Sequence, residues 1–89
     1  MDTREAIVFR IRQLCQPRHI TPNGLSSLSG VSQATVKSIL NGESRNSGTV
    51  TIKKLCDGLE ITLGEFFSTP EFDALEQDPE FDALEQELK

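Results

Sequence analysis

Residues 25–42 read Leu-Ser-Ser-Leu-Ser-Gly-Val-Ser-Gln-Ala-Thr-Val-Lys-Ser-Ile-Leu-Asn-Gly, and they constrain the fold more than any other part of the chain. Leu25 and Leu28 are spaced to form the apolar face of one short helix. That helix starts at Thr21-Pro22, an N-cap residue followed by the residue favoured at the first helical position. Val36, Ile39 and Leu40 supply the face of a second helix, for which Ser32 is the N-cap. Between the two, Gly30 is free to take the left-handed conformation that closes a helix. Val31 is placed to plug the corner, and small Ser26 lets the helices approach. Asn41-Gly42 stops the second helix. Its remaining face shows Gln33, Ala34, Thr35, Lys37, Ser38 and Asn41, which are small, polar or basic, with no acid among them. Two short helices meeting at a tight turn, with one polar face left over, is the pattern of a helix-turn-helix.

The flanking segments extend the same all-helical pattern. Ile7, Val8, Ile11, Leu14 and Cys15 form one stripe of a helix predicted over Thr3 to Gln16, ended by Pro17. After a polar loop from Glu43 to Gly48, Thr49 or Thr51 begins a fourth helix, with Ile52, Leu55, Cys56 and Leu59 buried. Thr62 caps a short fifth helix, Leu63 to Phe67. The β-branched run Thr49 to Ile52 is the only strand-like cluster in residues 1–69, and its helical continuation argues against a strand.

Charge divides the chain in two. The 89 residues carry a net charge of -5. Residues 1–69 hold eight basic and six acidic side chains, a net of +2, whereas residues 70–89 hold eight acids and one lysine, a net of -7. The body suits an anionic partner and the tail does not. The tail also repeats itself: Pro70 to Gln77, PEFDALEQ, recurs letter for letter as Pro79 to Gln86. Each copy reads as a helix start, capped by Thr69 or Asp78, with proline first and acids in the first turn. A nine-residue period turns a helix through half a revolution beyond whole turns, so one straight helix cannot bury both copies on one surface. A break at Pro79 is expected.

Other chemistries find no residues here. Cys15 and Cys56 lie 41 positions apart, and His19 cannot complete a zinc site with them. They read as small buried thiols. His19, Lys53 and Lys54 read as solvated surface groups, and Phe66, Phe67, Phe72 and Phe81 as packing residues. No metal, no cofactor and no enzymatic activity are expected. No run approaches the roughly 20 apolar residues of a membrane span, and the N-terminus lacks the pattern of a secretory signal. A cytoplasmic location follows as the expectation.

In combination, these motifs resemble the phage repressor and Cro-like helix-turn-helix domains, the XRE family. The resemblance covers about Arg10 to Phe67. It includes the downstream segments Thr51 to Leu59 and Ile61 to Phe67. It implies a five-helix, lambda-repressor-like domain over residues 1–69, with residues 70–89 as an acidic helical tail. It also implies that the helix of residues 33–41 enters the DNA major groove. By position, Gln33, Ala34 and Ser38 would face bases, and Thr35 and Lys37 bases or phosphates. Gln can bond adenine bidentately, and Ala can touch a thymine methyl. Ser32, Asn41, Arg45 and the helix start at Asn23 complete the DNA-binding set, with Asn41, Arg45 and Asn23 at phosphates. The sequence departs from the family at Pro22, where Gln is frequent, and at Ser26 and Gly58, where Ala is commoner. Gly58 should weaken its helix by up to ~1 kcal/mol.

The expected function is sequence-specific transcriptional regulation, as a repressor. Because the +2 body supplies few phosphate contacts per chain, a homodimer on a pseudo-palindromic operator is expected. The alternative is an antitoxin-like or other protein-interaction module, binding a partner through the domain and the acidic tail.

Overall fold

The computed structural model describes residues 1–43 and 48–75. Among the described residues six helices follow one another: α1 (Thr3–Cys15), α2 (Pro22–Ser29), α3 (Gln33–Leu40), α4 (Thr49–Gly58), α5 (Leu63–Phe67) and α6 (Pro70–Asp73). There is no strand among the described residues.

Local chemistry accounts for most helix ends. Asp2 and Glu5 form a capping box at the start of α1, and Thr62 and Glu65 form one at the start of α5. Thr21 caps α2 and Ser32 caps α3, each through its hydroxyl. Gly30 (φ 75°) and Gly42 (φ 73°) close α2 and α3 in the left-handed region. Two further ends use residues other than glycine. His19 (φ 55°) and Glu60 (φ 59°) take the left-handed position after α1 and α4. In both, the following amide bonds back five residues: Ile20 N–H to the Cys15 carbonyl, and Ile61 N–H to the Cys56 carbonyl. This is the Schellman closure.

The core is built where the stripes of five helices meet. Ile11 and Leu14 of α1, Leu25 of α2, Val36 and Ile39 of α3, Ile52, Leu55 and Cys56 of α4, and Phe66 of α5 are buried together, with Val31 at the corner between α2 and α3. Among the described residues, α2 and α4 contact each other more extensively than any other helix pair. A Cβ at Gly58 would stand 2.9 Å from the Leu28 carbonyl carbon and from Ser29 Cα.

That approach corrects one expectation. Leu28, whose spacing puts it on the apolar face of α2, is 56% exposed. The backbones of α2 and α4 come so close at Leu28–Ser29 that no layer is left between them for a leucine side chain. It therefore lies outside the contact. Gly58 is also more than a weak helix former, because the α2 backbone occupies the space of its missing side chain.

The tail starts as part of this body. Helix α6 lies against α1, and Phe72 packs on the core beside Phe66 and Phe67. Thr69 precedes α6, but its hydroxyl makes no capping bond. It is turned into the body, where its Oγ1 is buried without a partner. The second copy of the repeat, with the expected break at Pro79, lies outside the described residues, as does Phe81.

Candidate nucleic-acid interface

Helix α3 is eight residues long, and its burial divides cleanly. Val36 and Ile39 are buried against the body, whereas Gln33, Ala34, Thr35 and Lys37 are exposed. A helix advances 100° per residue, so a base fixed by positions 36 and 39 turns positions 34 and 37 away from it and leaves 33, the first residue of the helix, at the edge of the exposed face. Ser38 is half-buried at the edge of the exposed face. Asn41, the C-cap residue, and Asn23, in the first turn of α2, are both exposed. Arg45 lies outside the described residues.

The start of α3 is tied down by its own side chains. The Thr35 N–H donates to Ser32 Oγ at 3.2 Å, and the Ser32 hydroxyl donates to Thr35 Oγ1 at 2.9 Å. Ser32 is thereby committed to the cap, while the Thr35 hydroxyl proton stays free to donate outward. At the start of α2, the Thr21 hydroxyl accepts from the Gly24 N–H at 3.0 Å. The Asn23 N–H remains among the first-turn donors without an intrahelical acceptor.

Three ties orient α3 on the body, and the sequence reading found only one of them, the packing of Val36 and Ile39. At the turn, the Ser26 hydroxyl donates to the Val31 carbonyl. Ser29 works beside it. Its hydroxyl donates to the Leu25 carbonyl at 2.7 Å and accepts from the Val31 N–H at 3.2 Å. Ser26, which stands where alanine is the commoner family residue, thus carries a bond that alanine cannot make. At the far end, Arg12 Nη2 of α1 donates to the Leu40 carbonyl at 3.2 Å. This satisfies a carbonyl that has no partner further along the helix.

A second arginine escaped the sequence reading in the same way. It is Arg10, also on α1. In the fold its Nε donates to the Phe66 carbonyl at 2.8 Å and its Nη2 to the Glu65 carbonyl at 2.7 Å. Its fork closes the last turn of α5. The signal for both arginines is tertiary, since their partners are 28 to 56 positions away.

The remaining candidates fall away from this face. Lys53 pairs with Asp57 one turn later on α4. Burial pushes the Cys15 and Cys56 thiols above their usual range; for Cys56 the neighbouring Asp57 carboxylate adds to the effect. Both are free thiols packed in the core. No helix among the described residues is long and apolar enough to cross a membrane.

Comparison with known proteins places this geometry. The crystal structure of the prophage Lp1 protein 11 superposes with a TM-score of 0.72 at 29% sequence identity, covering 84% of this chain and 100% of that one. No curated protein matches. The family model for the Cro/C1-type HTH DNA-binding domain matches residues 10–71. That span contains both motif helices, the turn between them and the buried residues that hold α3 in place. The chain belongs to the Cro/C1-type helix-turn-helix DNA-binding family and is a DNA-binding regulator.

Proposed function

We propose that this protein is a sequence-specific transcriptional repressor that reads the major groove with α3. The observation that carries the reading is the burial pattern of that helix. Val36 and Ile39 anchor it, and Gln33, Ala34, Thr35 and Lys37 project from the exposed side. An α-helix fits the major groove, where base edges present distinguishable donors and acceptors. Gln33 has the amide geometry for adenine, and Ala34 offers a methyl to thymine. Thr35 offers a hydroxyl proton, and Lys37 a point charge for guanine or a phosphate. Ser38 is assigned to the base-facing edge. The first turn of α2 at Asn23, together with Asn41 and Arg45, is assigned to phosphates, which set register without reading sequence.

A homodimer completes the proposal. One body with a net charge of +2 neutralises few phosphates, and affinity grows with the number neutralised. Two copies related by a two-fold axis present two recognition helices to half-sites about 34–36 Å apart.

Selection of bound fragments from a random duplex pool tests both parts. Enrichment of an inverted repeat with half-sites one helical turn apart is the expected result. Enrichment of a single half-site would overturn the dimer. No enrichment at any salt concentration would overturn the DNA reading in favour of a protein partner, with the acidic tail as a contact.

A further inference from the structure

We propose that the two copies of the nine-residue tail repeat are interchangeable occupants of one seat on the body, so that Pro79–Gln86 takes the place of Pro70–Gln77 within the same chain. The inference is independent of DNA binding. It rests on how the first copy is held.

The seat is small and recognises one side chain. Helix α6 has only four residues and no side-chain cap. Its anchor is Phe72, whose ring lies 4.9 Å from that of Phe67 at 65° and 6.0 Å from that of Phe66. Phe66 is fully buried and forms the floor, whereas Phe67 is 39% exposed and forms the wall. The edge-to-face Phe67–Phe72 pair attracts beyond simple burial and sets the orientation of the incoming ring, while Phe66 lies tilted beneath it. Leu75, three residues after the anchor, is half-buried. Every residue that makes the seat's contacts in the first copy has an identical counterpart in the second, with Phe81 for Phe72 and Leu84 for Leu75.

The flanking residues differ, and the difference favours exchange. Thr69 stands before the first copy, and its hydroxyl is buried without a partner instead of capping α6. Asp78 stands before the second, and a carboxylate at that position accepts from first-turn N–H groups and complements the helix dipole. Seating the second copy loops out nine residues, Pro70 to Asp78. The entropy of closing such a loop grows only slowly with its length. One register lacks a side-chain cap, and the other gains a cap but closes a loop. The exchange also moves two acids, Glu71 and Asp73, from the docked segment to a connecting loop.

Deletion cannot test this, because removing residues 70–78 or 78–86 leaves the same sequence. Point substitution in the full chain can. In Phe72→Ala, the Phe81 ring is expected to show nuclear Overhauser contacts to Phe67, and the thermal midpoint should fall by less than half of the fall in Phe72→Ala/Phe81→Ala. Phe81→Ala alone should leave the midpoint within a degree of the unsubstituted chain. A Phe81 ring in Phe72→Ala that makes no contact with Phe67, with a midpoint equal to that of the double variant, would overturn the proposal. So would a Phe81–Phe67 contact seen only between differently labelled copies in a mixed sample, which would assign the second repeat to a neighbouring chain.

Discussion

A Cβ atom on Gly58 would sit 2.9 Å from Ser29 Cα, so the last turn of α4 rests directly on the backbone of α2. This contact joins the helix before the motif turn to the helix that supports it from behind. Gly58→Ala therefore pits two effects against each other. The helical preference of alanine gains up to about 1 kcal/mol, while forcing a methyl into backbone contact costs about 1–3 kcal/mol. A net loss of about 1 kcal/mol is expected, read as a lower urea midpoint. A higher midpoint would show that α2 shifts freely to admit the methyl.

Two helix ends run the opposite way. His19 and Glu60 hold left-handed φ values of 55° and 59° without being glycine. A side chain there costs about 1–2 kcal/mol, partly offset by the greater freedom of glycine in the unfolded chain. Glu60→Gly should raise stability by about 0.5 kcal/mol, and His19→Gly should do the same. Thermal unfolding of both variants checks the sign, and a drop in either midpoint refutes the strain assigned to that residue.

Arg10 holds α5 by two main-chain carbonyls. Arg10→Met keeps the apolar stem and removes the donors, so a loss of about 1–2 kcal/mol is expected from the charge-assisted bonds. Arg10→Lys should recover less than half of it, because an ammonium cannot span both carbonyls as the planar fork does. Full recovery by lysine in urea titrations would reduce the role of Arg10 to that of a single charge.

Both buried cysteines make stability fall at alkaline pH. Burial raises the folded-state thiol pKa values above those of the unfolded chain. The folded state therefore keeps its protons where the unfolded state releases them. Their contribution is complete below about pH 8.5, the unfolded thiol value, and is lost as pH rises through the higher folded values. Denaturant midpoints at pH 8 and pH 10 should differ more in the unsubstituted chain than in Cys15→Ala/Cys56→Ala. Equal differences would show that other groups account for the whole pH response.

On DNA, the assigned roles predict two distinct losses. Gln33→Ala should cost about 1–3 kcal/mol on a selected site and relax preference at one base pair. Arg45→Ala should weaken all sequences alike and reduce the salt slope by about one unit. Fluorescence anisotropy on the selected site and on scrambled duplexes, across a salt series, separates the two patterns. Identical behaviour of the two variants would contradict the division into base-reading and phosphate-contacting groups.

The motif helices and the exposed face of α3 are legible in the sequence because their determinants are local. Thr21, Ser32 and Thr62 cap amides three residues away, and Gly30 and Gly42 act through their own φ angles. The spacing of Val36 and Ile39 marks the buried side of α3 by helical period. Leu28 defeats the same logic, since its spacing from Leu25 fits an apolar stripe, yet the neighbouring backbone leaves it no room.

Among the described residues, the sequence by itself determined which segments become helices, where five of them begin, and which side of α3 is left polar. These depend on interactions within about one helical turn, which the order of residues specifies directly. Only the tertiary structure decided that Arg12 ties the end of α3, that Arg10 closes α5, that Gly58 bears on Ser29 and that Phe72 seats beside Phe66 and Phe67. Except for the short steps from Phe66 and Phe67 to Phe72, these partners are brought together by packing across 28 to 56 positions of chain. Such encounters depend on how the helices cross, and no local pattern encodes a crossing.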